Sequence, residues 1–236
     1  MVIPATADVN SFCTTYKAVA SDLSAGLWSY CLGTADKSVC GKFTVRAEED
    51  GPGVAVNVND IETKAPEGIL RWQQTVSAAA KVLPADFDLV LSGGDFFHGG
   101  MSVSNCNDYV EWGVTVDSAR AKFGDAAWIM ALGNHDTVLG SKIVCENYRY
   151  TEKDHFGGHV FEQGGVQFLT LPFYVNEDAV PDGVTNWLVS ALSAPTDARW
   201  RIVMTHASPY TTGSHAASKY FIKQLTPIFA QYKVDL

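Results

Sequence analysis

Phe87-Asp88-Leu89-Val90-Leu91-Ser92-Gly93-Gly94-Asp95 (FDLVLSGGD) is a short apolar run that stops at two glycines and a carboxylate. An apolar run of this length reads as a buried strand. The glycines let the backbone turn sharply and present the side chain that follows. Upstream, Val54 to Asn59 (VAVNVN) is a second, valine-rich strand. Between the two, Ile69, Trp72, Val76, Ala79, Ala80 and Leu83 recur at the spacing of one helix face, with Pro66 before and Pro84 after. Downstream, the pattern predicts a helix over Asp108 to Phe123 and a strand over Ala127 to Leu132 (AWIMAL). HVFEQ and VQFLTL then flank Gly164-Gly165, the signal of an antiparallel hairpin. A helix over Thr185 to Leu192, a strand over Trp200 to Thr205 and an amphipathic helix over Lys219 to Tyr232 complete the series, with Pro227 expected to kink or break the last. Alternating strands and helices predict an α/β fold of layered, mixed β-sheets flanked by helices. Residues 1–50 lack such periodicity and read as an irregular N-terminal extension, leaving 51–236 as the main domain.

The residues that carry chemistry stand where these strands stop. Asp60 follows VAVNVN, Asp95 follows LVLSGG, Asn134, His135 and Asp136 follow IMALG, and His206 follows IVMT. In open α/β sheets, ligands bind at the carboxyl ends of the strands. One aspartate or histidine there is ordinary turn chemistry. Four strands ending in hard oxygen or borderline nitrogen donors suit a two-metal site. Two divalent ions about 3.5–4 Å apart need a bridging carboxylate and terminal ligands, and Asp95 fits the bridge. Water held by such ions is acidic enough to attack phosphorus. A histidine left outside the ligand set can hold a phosphate oxygen or protonate a leaving group.

GGDFFH (Gly93 to His98), GNHD (Gly133 to Asp136) and THASPYTTGSH (Thr205 to His215) resemble consecutive motifs of the calcineurin-like metallophosphoesterases. The spacing of the last two histidines is similar to that of the purple acid phosphatases, and the resemblance covers about Val54 to Leu236. It implies hydrolysis of a small-molecule or protein phosphate ester with two divalent metal ions of the Fe, Zn or Mn class. Asp60 would be a terminal ligand and Asp95 the bridge. His98 stands where purple acid phosphatases supply a tyrosine ligand, and Asn134 and His206 would bind the second metal. His135 and His215 would contact phosphate, one of them as proton donor. A neutral imidazole in place of the tyrosine suits divalent ions, so a colourless protein is expected.

The chain also departs from the family pattern. The first motif reads Asn59-Asp60-Ile61-Glu62 instead of Asp-x-His or Gly-Asp-x-Gly, which keeps the aspartate but not its surroundings. His98 is either a ligand or a solvent-facing loop residue, and His155 and His159 match no motif. The ending Ile228 to Leu236 resembles the helix and strand start that precede Gly-His-x-His in the family, yet no GHxH occurs in these residues. Weak metal binding and low activity are therefore expected of them alone. The alternative reading is a non-catalytic scaffold or binding protein of the same fold.

Bulk composition narrows the partners. A net charge of −9 with 18% charged residues argues against binding nucleic acid polymers or membrane surfaces. No apolar run approaches the ~20 residues of a membrane helix, and no GxSxG marks a serine hydrolase. The opening MVIPATADVN has neither a basic start nor a continuous apolar stretch, so no intact signal peptide is expected. Cys13, Cys31, Cys40, Cys106 and Cys145 include no CxxC pair. Three fall in the first 40 residues, where a disulfide tying down the extension would point to a secreted or lysosome-like compartment; buried free thiols are the other reading. Oligomeric state is not legible.

Overall fold

The computed structural model describes the chain outside residues 1–2, 10–13, 19, 35, 48–52, 62–65, 85–86, 96–106, 125, 132, 134–157, 172–181 and 214–218. At its centre lie two facing sheets. The first is formed by β5 (Ala55–Val58), β6 (Leu89–Ser92) and β7 (Ala127–Met130), all parallel, with Val58, Ser92 and Met130 in register at their carboxyl ends. The second joins β8 (His159–Gln163) antiparallel to β9 (Val166–Thr170) and β9 parallel to β10 (Trp200–Met204). The layered α/β expectation holds, and the mixing of strand directions is confined to the second sheet, where Gly164 and Gly165 turn the hairpin at positive φ.

Strand periodicity sends alternate residues to opposite layers. Leu89 and Ile129 meet Val166 and Phe168 between the sheets, together with Ile202 and Met204. Val90 points the other way, onto Trp72 and Val76 of α1 (Pro66–Ala79) and onto Ala119 and Phe123 of α2 (Asn107–Phe123). Leu169 and Leu171 face α3 (Asp182–Ser193) and α4 (Lys219–Gln231). The layers thus run helix, sheet, sheet, helix. Each helix docks through a stripe of three- and four-residue spacing, of which Val184, Leu188 and Leu192, all buried, are the plainest case. Pro66 opens α1 with its φ already set for a helix.

Two expectations are corrected. Of the kink or break expected at Pro227, the break is not found: α4 runs unbroken to Gln231. The proline ring lies on the exposed side of the helix, so the Lys223 carbonyl that loses its intrahelical donor also faces outward. Nor is the N-terminal stretch irregular: β1 (Thr6–Val9) pairs with β2 (Thr14–Lys17), and β3 (Gly26–Gly33) pairs with β4 (Ser38–Val45). In the second hairpin no residue is fully buried and only one face is half-buried, so the hydrophobic alternation is short and weak. Reciprocal backbone hydrogen bonds between Thr34 and Lys37 close its turn, and a Cys31–Cys40 disulfide joins facing residues. Tyr30 and Phe43 share the inner face, where Arg120 of α2 donates to the Tyr30 hydroxyl at 3.3 Å.

Candidate metal centre

The first sheet ends in a step. Beyond Val58 the backbone of Asp60 donates to the Gly94 carbonyl at 3.1 Å, and the Gly93 amide donates to Asn59 Oδ1. These two bonds hold the turn after β5 against the turn after β6. Asp60 and Asp95 both adopt left-handed backbone, with φ of 50° and 54°. Among side chains with a Cβ, aspartate tolerates that conformation comparatively well. Gly93 and Gly133 are glycine for a different reason. A Cβ on Gly93 would meet Asn59 Oδ1, and one on Gly133 would meet the carboxylate and backbone nitrogen of Asp95. Asp95, only 3% exposed, is thereby packed against the chain that leaves β7.

His206 reaches the same point from the second sheet, two residues beyond β10. Its Nδ1 lies 2.9 Å from the Gly93 carbonyl and its Nε2 lies 3.2 Å from Asp95 Oδ2. Burial alone would lower the imidazole pKa. The hydrogen bond to Asp95, that group's charge, the Gly93 carbonyl and the charge of Asp60 outweigh it, and the net shift is upward. One oxygen or nitrogen atom from each of Asp60, Asp95 and His206 lies within 4.8 Å of the others.

This donor set fits a cation. Two carboxylates converge on an imidazole nitrogen whose ring partner is anchored to a backbone carbonyl, the arrangement that fixes ring orientation in metal-ligating histidines. The extra proton that the surroundings favour on His206 marks the place where positive charge is stabilised. Three of the expected ligands are therefore brought together, although their strands belong to two sheets instead of one. His98, Asn134, His135 and His215 lie outside the described residues, as does His155. His159 opens β8, as a hairpin residue. Asn59 was missed as a contributor: it positions the turns, and nothing in the sequence separates a positioning asparagine from an ordinary one at a strand end.

Among solved structures, the chain is similar to a purple acid phosphatase from seeds of yellow lupin (Lupinus luteus). The identity is 11% and the TM-score 0.70, over 99% of this chain and 49% of that one. It is also similar to GAP50, the anchor in the inner membrane complex of Plasmodium, with 17% identity and a TM-score of 0.54, over 77% of this chain and 63% of that one. At these identities the likeness is one of fold, and the chain spans about half the length of the lupin phosphatase. No curated protein sequence matches. The sequence pattern of the calcineurin-like phosphoesterases matches residues 58–236, and the chain belongs to that family.

Proposed function

We propose that the protein hydrolyses phosphate monoesters, in the manner of an acid phosphatase, at a dinuclear metal centre. The observation that carries this reading is the convergence of Asp60, Asp95 and His206 donor atoms at the carboxyl ends of the two sheets. Divalent ions in such a site supply Lewis acidity, polarising a phosphoryl oxygen and making water more acidic. Asp95, buried and close to both Asp60 and His206, would be the shared ligand; Asp60 and His98 would serve one ion, and Asn134 and His206 the other. His135 and His215 hold the phosphate, and one of them gives the proton that the leaving oxygen needs. Catalysis belongs to residues 51–236, with 1–50 as an appended unit. The Cys31–Cys40 disulfide favours a secreted or lysosome-like setting.

A second reading is a non-catalytic scaffold. The altered surroundings of Asp60 favour it, as does the likeness to GAP50, an anchor. Metal analysis and turnover of p-nitrophenyl phosphate separate the two. The enzyme reading expects up to two equivalents of divalent metal at saturating supply, held weakly, and low but measurable hydrolysis. It also expects Asp95→Asn to lose both ions and to lower kcat/KM by at least about a hundredfold, since a neutral amide bridges cations poorly. A folded wild-type protein that takes up no metal at saturating supply leaves only the scaffold.

A further inference from the structure

A groove of about 520 Å³ runs between the end of β5 and α1, and Asp60 forms part of its wall. Its volume is within the range of small-molecule sites. A phosphate ester whose phosphorus lies at Asp60, Asp95 and His206 can therefore direct the rest of its body into this groove. That consequence rests on the phosphoesterase reading above.

The groove's polar wall is selective. Arg71, one turn into α1, lines it with an exposed guanidinium. The other four described arginines are committed. Arg46 pairs with Asp88, Arg120 bonds Tyr30, Arg201 bonds the Tyr232 carbonyl, and Arg199 lies over the Trp200 ring. Among the described residues Arg71 pairs with no carboxylate. In a chain of net charge −9, a cation that pairs with no carboxylate among the described residues, although it lines the same groove as Asp60, is open to an anionic ligand. Asn59 lines the same groove with its carbonyl oxygen taken by the Gly93 amide, which leaves its NH2 group as a donor. Thr75 spends its hydroxyl on the Arg71 carbonyl, and Trp72 spends its indole N–H on the Thr115 carbonyl. The side-chain donors that remain for a ligand are a guanidinium fork and the amides of Asn59 and Asn57. That set matches an anionic, acceptor-rich group, which the fork can take with two parallel hydrogen bonds.

We propose that this groove is a specificity subsite, in which Arg71 and Asn59 receive a second anionic group carried by the substrate. The preferred class is then a phosphate ester with a further phosphate or carboxylate on the same molecule, over simple aryl or alkyl phosphates. The test compares a sugar bisphosphate, a phosphoglycerate and p-nitrophenyl phosphate, in wild type and in Arg71→Met, which keeps the aliphatic stem. We expect kcat/KM for an anion-bearing substrate, relative to p-nitrophenyl phosphate, to fall about tenfold, chiefly through KM, with Arg71→Lys intermediate. Loss with the bisphosphate alone assigns the groove to a second phosphate; loss with phosphoglycerate as well admits a carboxylate. Ratios unchanged for both substrates overturn the subsite. If wild type hydrolyses none of the three, the phosphoesterase reading fails, and the subsite is decided by calorimetry with the bisphosphate in the presence of manganese. Binding about tenfold weaker in Arg71→Met supports it, and equal or absent binding overturns it.

Discussion

Asp95 owes its position to a neighbour with no side chain. The carboxylate lies so close to Gly133 that a methyl group there would stand 2.7 Å from the Asp95 backbone nitrogen and closer still to Oδ1. Gly133→Ala should therefore displace the carboxylate from His206. It should cost about 1–3 kcal/mol of stability through overpacking, and weaken divalent metal binding at least about tenfold. Titration calorimetry with manganese, alongside thermal unfolding of the metal-free protein, checks both. A variant with wild-type affinity would show that the carboxylate has room to move. Of the candidate donors, Asp95 and His206 were the readiest to find, because each follows an unmistakable apolar strand. Asp60 was harder to place, since its motif is altered. Its position beside Asp95 depends on the Asp60–Gly94 and Asn59–Gly93 bonds, which link turns 34 residues apart and leave no local signature.

The elements that pack against a core were legible, and those that do not were hidden. Val184, Leu188 and Leu192 announce α3, and the apolar FDLVL announces β6, because burial writes its period into the sequence. β3 and β4 lie outside the layered core, with Leu27, Leu32 and Val39 left more than half exposed. Their pairing follows from a tight turn and a cross-link instead of from burial. The disulfide closes a loop of sequence separation 9, which is worth about 2–3 kcal/mol in chain entropy. Cys31→Ser with Cys40→Ser should therefore speed amide exchange in residues 26–45 by about thirtyfold or more, while β6 amides keep their protection. Hydrogen exchange read by mass spectrometry distinguishes this from global loosening, which would raise exchange in β6 to the same degree.

On the scale of the whole molecule, three distant segments meet at Asp88, at the end of the first sheet remote from the candidate centre. Arg46, just past β4, pairs with its carboxylate, and Gln163 at the β8–β9 turn donates to the same oxygen at 2.8 Å. The N-terminal hairpin, the first sheet and the second sheet are fastened there together. Arg46→Ala would leave the Asp88 carboxylate largely buried with a weaker set of donors, at a cost of about 2–3 kcal/mol. At this chain length the unfolding midpoint should drop roughly 5–10 °C. Arg46→Met with Asp88→Leu should recover most of that loss, since it removes the stranded charge; calorimetric scans of the two variants decide the point. At the opposite end, His206 joins the two sheets through Gly93 and Asp95, and its bond to Gly93 spans 113 residues. We expect this contact to be completed after the folding transition state. A cation gripped there then has nothing to hold in the folding transition state. Manganese at a hundred times its dissociation constant should slow unfolding about a hundredfold and leave the refolding rate unchanged, so that in stopped-flow denaturant jumps the metal acts as a brake on coming apart.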